Sequence, residues 1–107
     1  MAGYFKVSTR PDGQYTFTLK AGSEVLLTGE AYSTKAACIN GVESVKKNAA
    51  DDDRYRRSTS VDGRFRFALA AANGQAIGAS EYYETETARE EGIEAVKKSA
   101  PDAEVEE

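Results

Sequence analysis

Five arginines fall within one short stretch: Arg54, Arg56, Arg57, Arg64 and Arg66. Guanidinium groups at this density, set among Ser58, Thr59 and Ser60, suit phosphate. The chemistry they suggest is contact with the backbone of a single-stranded nucleic acid. Apolar alternation through Phe65 and Phe67 puts Arg64 and Arg66 on the opposite face, and a hairpin back to residues 54–60 brings Arg56 beside them. No aromatic residue is expected among them on that face, so base stacking lacks a platform. The plainer reading is a solvated outer face whose charge discourages aggregation.

Other chemistries have less to work with. The chain has no histidine, which removes histidine-based triads and the common zinc sites. It carries neither a phosphate-binding P-loop nor a GxGxxG opening a helix. The one cysteine, Cys38, could be a nucleophile in principle, but it reads as a small apolar residue on a helix stripe. Glu30 and Glu81, and likewise Glu43 and Glu94, are carboxylates at equivalent positions of an internal repeat. An axis between the copies could bring such a pair together for acid–base work or a divalent cation. The plainer reading has Glu43 and Glu94 paired with nearby lysines. Asp51, Asp52 and Asp53 lack the glycine and distal glutamate of a calcium loop and read as solvated linker. No catalytic residue, metal site or cofactor is expected, and the chain does not read as an enzyme.

The elements that must position these side chains come twice. Residues 12–49 align with residues 62–100, with one extra residue in the second copy, and fifteen of 38 positions are identical. Among them are Phe17/Phe67, Leu19/Leu69, Tyr32/Tyr83, Ala37/Ala88, Gly41/Gly92 and Val45/Val96. Self-similarity at this period marks a repeated supersecondary unit. Residues 4–9, 14–20 and 24–30 read as three strands of an antiparallel meander, with Tyr15, Phe17 and Leu19 on one face. In the second copy Asn73-Gly74 is a two-residue hairpin signal. For the third strand, Leu26 and its counterpart Ile77 are expected inward rather than Leu27. Residues 34–48 and 85–99 read as helices, capped by Ser33 or Thr34 and by Thr85, with lysines in the last turn. Gly41 and Gly92 sit mid-helix, where glycine costs roughly 1 kcal/mol against alanine, and so predict a close approach. Ala103 and Val105 allow a short terminal strand.

The 107 residues carry a net charge of −4, and the acidic balance argues against nucleic-acid binding by the whole surface. No signal peptide is expected at the start, no run is long enough for a membrane span, and a lone cysteine excludes an internal disulfide. These features predict a cytoplasmic location. The expected fold is α+β: one domain over residues 1–107, made of two repeats (about 1–50 and 51–107) related by a pseudo-two-fold axis. An internal pseudo-dimer predicts a monomer.

The helix pattern Asn40-Gly41-Val42-Glu43-Ser44-Val45-Lys46-Lys47-Asn48-Ala49, together with its second copy from Gly92 to Ala100, resembles the YegP-like family of small bacterial proteins. The resemblance covers essentially the whole chain. It implies tandem β-β-β-α(-β) repeats that share one mainly antiparallel sheet under two helices and exchange their last strands. Residues 54–60 and the stretch near 102–106 would then cross between halves. The second copy departs from the motif at Arg89-Glu90-Glu91, so its helix is expected to be more exposed or differently partnered there. The family is one of unknown function and supplies no catalytic residue. The expected activity is that of a small binding or interaction module with an unidentified protein or ligand partner. Nucleic-acid binding through the arginine face is the alternative.

Overall fold

The apolar alternation of the first repeat folds into β1 (Tyr4–Thr9), β2 (Tyr15–Ala21) and β3 (Glu24–Gly29). That of the second folds into β4 (Tyr55–Thr59), β5 (Phe65–Ala70) and β6 (Ala76–Ala79). The helices are α1 (Lys35–Asn48) and α2 (Glu86–Ser99), and β7 (Glu104–Glu106) follows. This computed structural model describes residues 3–106; Met1, Ala2 and Glu107 lie outside the described residues.

The strands form one seven-stranded sheet in the order β4-β5-β6-β3-β2-β1-β7. Neighbours run antiparallel except β1 and β7, which are parallel. β3 and β6 meet at the centre with Thr28 opposite Ala79. These two residues are repeat equivalents, so the pseudo-two-fold axis passes through that pair. Strand exchange is one-sided. β7 crosses to the first repeat, placing Val105 opposite Phe5. Among the described residues β4 pairs only with β5 of its own repeat and forms the other edge of the sheet. Charged Arg56 and Arg57 on such an edge discourage pairing with other chains.

Both helices are capped as their sequences require. The Thr34 hydroxyl accepts from the Ala37 amide and the Thr85 hydroxyl from the Ala88 amide, each at 3.0 Å. Each such cap is worth about 1 kcal/mol. Both helices lie on one sheet face and reach across the axis: α1 packs on β2 and also on β5 and β6, while α2 packs on β5 and on β3. Phe5, Phe17, Leu19, Val42 and Val45 are fully buried with Phe67, Leu69, Ile93 and Val96 in one core.

Two local expectations change. Leu26 and Leu27 are both buried. Leu19 faces Leu27, but Lys20 faces Val25, so Leu26 is the extra residue of a bulge. Asn73-Gly74 is not the centre of its hairpin. The Gly74 amide donates to the Ala71 carbonyl at 2.9 Å, which makes Ala72 and Asn73 central and gives Gly74 the left-handed φ of 87°. This is the longer loop in which a turn is followed by a left-handed glycine.

Candidate functional site

The five arginines do not converge. Phe67 and Tyr55 are buried under the helices, so alternation turns Arg66 and Arg56 onto the open face of the sheet. Register sets Arg56 opposite Ala68 and Ser58 opposite Arg66. Arg56 donates to the Gly74 carbonyl at 2.8 Å. Arg57 points the other way, to the helix layer, where it pairs with Glu90 at 2.9 Å and Asp52 at 3.1 Å. Arg54 donates to the Asn48 side chain and pairs with Asp51. Arg64 sits in a turn beside Asp62. Three of the five are therefore paired with carboxylates, and two share the open face.

Sequence reasoning missed an aromatic there. Tyr82 is half exposed, and the Arg66 guanidinium lies 5.1 Å from its ring centre while donating to its hydroxyl at 3.3 Å. The arginine–tyrosine pair is a cation–π contact on a half-exposed ring. Tyr82 lies beyond the strand, where period-two reasoning carries no information. The same alternation turns Tyr4, Lys6, Thr16, Thr18 and Lys20 onto this face.

The helix layer holds a second arrangement, present twice. Tyr32 stacks on Phe17 at 6.3 Å, and Tyr83 stacks on Phe67 at 6.4 Å. Each tyrosine hydroxyl fills the space a side chain would need at the mid-helix glycine: a Cβ at Gly41 or Gly92 would overlap it. This is the close approach that the repeated glycine implies. Beside each tyrosine opens a cleft. The one under α1, about 650 Å³, is lined by Tyr32, Gly41, Glu30, Asn40, Gln75 and Ile77, among others. The one under α2, about 230 Å³, is lined by Tyr83, Gly92, Glu24, Glu91, Leu26 and others. Burial pushes both tyrosine hydroxyls above their usual value. The charge of Glu30 adds to this at Tyr32, and those of Glu24 and Glu81 add to it at Tyr83.

The remaining candidates separate. Cys38 is fully buried, and burial raises its thiol above the usual value. Glu30 and Glu81 each sit beside the tyrosine of their own repeat. Glu94 pairs with Lys97 at 3.3 Å, and Glu43 is exposed. Asp52 is more than linker: it accepts from Lys97 at 2.7 Å and from Arg57, and these bonds hold its carboxyl below the usual range. Among the described residues no cluster of three or more Cys, Asp or Glu could hold a metal ion. No helix among them is long and apolar enough to cross a membrane.

Comparison with known proteins matches a domain of unknown function, DUF1508, twice, over residues 11–55 and 60–107. The chain is 47% identical to the UPF0339 protein in the ptx operon 5′ region of Stutzerimonas stutzeri, covering 98% of this chain and 96% of that protein. It is 46% identical to the UPF0339 protein YegP of Escherichia coli O157:H7, covering 91% and 89%. The solution structure of E. coli YegP, a protein of unknown function, superposes with a TM-score of 0.93 at 42% identity, over 99% of this chain and 92% of that one. The UPF0339 protein SO3888 of Shewanella oneidensis superposes with a TM-score of 0.93 at 36% identity, covering 99% and 91%. The double match reproduces the two repeats read from the sequence, and the chain belongs to the DUF1508 family of unknown function, whose relatives include YegP.

Proposed function

We propose that the chain is a non-catalytic binding module whose working surface is the open face of its sheet, and that the partner it takes is anionic. One observation carries this reading. Two helices cover one face, while the bare face carries Lys6, Lys20, Arg56 and Arg66 in a chain of net charge −4. Glu104 and Glu106 on β7 face the same side at its edge, beside Tyr4 and Lys6, and Asp62 lies by Tyr82. Cations concentrated against the overall charge steer an anionic partner to that surface. The residues of the arginine group that would touch it are Arg56 and Arg66, with Arg54, Arg57 and Arg64 held by carboxylates around them. The two repeats form one cooperative domain, and the internal axis already supplies the symmetric neighbour, so the chain works as a monomer. A sedimentation mass of twice the chain would contradict that.

A second reading makes the partner single-stranded nucleic acid. The Arg66–Tyr82 pair favours it, because an exposed ring next to a cation is a platform for a base. Fluorescence anisotropy with labelled decaglutamate and labelled decauridylate tests both readings. Arg56→Glu with Arg66→Glu should weaken either probe at least tenfold at low salt. Tyr82→Ala should weaken only the oligonucleotide if bases stack. Wild-type affinity unchanged by the double reversal would remove the open face as the surface.

A further inference from the structure

β1 and β4 begin the two repeats and hold equivalent places in the sheet, yet only β1 is covered. β7 runs parallel to β1 with Glu104 opposite Tyr4, Val105 opposite Phe5 and Glu106 opposite Lys6. The apolar side of β7 meets the core, where Ala103 is buried and Val105 half-buried, and alternation turns its carboxylates to the open face. β4 repeats β1: Phe5, Lys6, Ser8 and Thr9 recur as Tyr55, Arg56, Ser58 and Thr59. No described strand lies outside β4, and Arg56, Arg57, Ser58 and Thr59 are all exposed. The Ser60 N–H donates to the Arg64 carbonyl, so the alternating ladder turns the main chain of Ser58 and Arg56 towards β5. Phe65 and Phe67, which stand opposite Thr59 and Arg57, make their main-chain bonds to Tyr83 and Ser80 on the other side. The N–H and C=O groups of Arg57 and Thr59 therefore point outward from the edge of the sheet.

We propose that this edge takes an extended acidic segment of another polypeptide as a further strand parallel to β4, as β1 takes β7. The pseudo-two-fold axis carries the β7 register onto β4, setting a glutamate beside Arg54, a valine beside Tyr55 and a glutamate beside Arg56. The Tyr55 N–H is already bonded to the Asp52 carbonyl, so pairing runs from the Tyr55 carbonyl through Arg57 to Thr59. Main-chain bonds to an open edge supply affinity, and alternate side chains supply selection. On the open face those side chains meet Arg56, which makes no ion pair among the described residues, and carboxylates suit it. On the helix side they meet Tyr55 and Arg57, whose charge Glu90 already balances, and a small apolar residue suits that side as Val105 does at β1. The β4 of a second copy would set arginines against arginines, so the charge that opposes self-pairing also selects an acidic strand. The proposal rests on the anionic reading of the open face only at Arg56 and needs neither Arg66 nor Tyr82.

The test is an amide NMR titration of the full chain with the end-blocked peptide Glu-Val-Glu-Val-Glu-Val-Glu, with hydrogen exchange read at Arg57 and Thr59. Saturable shifts along β4 are expected, with exchange at both amides slowed about tenfold or more. In the docked register the glutamate amides face β4 and the valine amides face away. N-methylation at the glutamates should therefore abolish binding, and N-methylation at the valines should leave it. Thr59→Pro removes an outward N–H at an edge position that tolerates proline, and should weaken binding about tenfold. Peptide binding that survives Arg66→Glu with Tyr82→Ala would support the edge and leave those two residues out of it. Equal binding of the unmodified and glutamate-methylated peptides, lost on Arg56→Glu with Arg66→Glu, would keep the open face as an anion site and overturn the edge. Absence of shifts with the unmodified peptide would overturn it too. So would protection of Arg57 and Thr59 that grows with protein concentration in the absence of peptide, which would give the edge to a second copy.

Discussion

The corner of the first repeat beneath the start of α1 is apolar, and the same corner of the second is ionic. Cys38, Ile39 and Val7 occupy it in the first; Arg89, Glu90 and Arg57 replace them in the second. Burial is conserved although chemistry is not: Cys38 is 0% exposed and Arg89 is 6% exposed. The departure at Arg89-Glu90-Glu91 therefore means different partners, with no gain in exposure. Arg89 reaches Glu86 at 3.3 Å, Glu90 at 3.1 Å and the Ser58 carbonyl at 3.4 Å, with its guanidinium 5.4 Å from the Phe65 ring centre. Glu90 passes the chain of charge to Arg57, Arg57 to Asp52, and Asp52 to Lys97. The backbone dictates only that this position is covered. A thiol meets that demand by itself, whereas a guanidinium meets it only when every donor is matched.

That difference can be broken at Arg89 first. Arg89→Ala strands Glu86, leaves Glu90 with Arg57 alone and opens a void, and should destabilise by about 3 kcal/mol, the low end for one partner of a buried pair because the carboxylates can rehydrate. Denaturant unfolding reads it directly. Transplanting the first repeat's corner, as Arg89→Cys with Glu90→Ile and Arg57→Val, should recover most of that loss.

The next prediction tests what the corners share. Gly41→Ala and Gly92→Ala each force a methyl against a tyrosine hydroxyl and should cost about 2 kcal/mol, within the range for overpacking. Tyr32→Phe should relieve the first and Tyr83→Phe the second. Additive losses in the double variants would mean that the glycines serve something other than the tyrosines.

Smaller effects sharpen the comparison through pH. Hydrogen bonds from Arg57, then from Arg89, hold the Glu90 carboxyl below its usual value despite some desolvation. A lowered folded value means that its stabilisation is complete above the unfolded value near 4.5 and is lost as pH falls through the folded one. Glu90→Gln should therefore flatten the fall in Tm between neutral pH and about pH 3. The opposite limb belongs to the tyrosines. Burial, then the charge of Asp52, raises the Tyr55 hydroxyl, which donates to the Ala49 carbonyl at 2.7 Å. Its contribution is present below the unfolded value near 10 and is lost as pH rises through the folded one. Smallest of all, Cys38→Ala should cost about 1 kcal/mol, and native Cys38 should resist alkylation until the protein unfolds.

Much of the scaffold was legible because local rules agree with one another. Alternation marked the strands, threonines marked both helix starts, and repetition of Gly41 as Gly92 pointed to a contact that proved to be a tyrosine. The crossing of the last strand entered through the family resemblance, and β7 follows it while β4 does not. What escaped depends on distant chain. The bulge at Leu26 follows from pairing with β2. Asp52 read as linker because its cations, Arg57 and Lys97, arrive from β4 and the far end of α2. Arg57 alternates with Arg56, so one of the five arginines had to point into the helix layer, a consequence period-two reasoning could have drawn.

The most direct test of the open face as the working surface is an amide NMR titration of the full chain with decaglutamate and decauridylate, at low and then physiological salt. Saturable shifts clustered on Lys20, Arg56, Arg66 and Tyr82, persisting for one of the two probes at the higher salt, are the expected result. Shifts confined to the helix layer, or diffuse ones that salt abolishes everywhere, would contradict it.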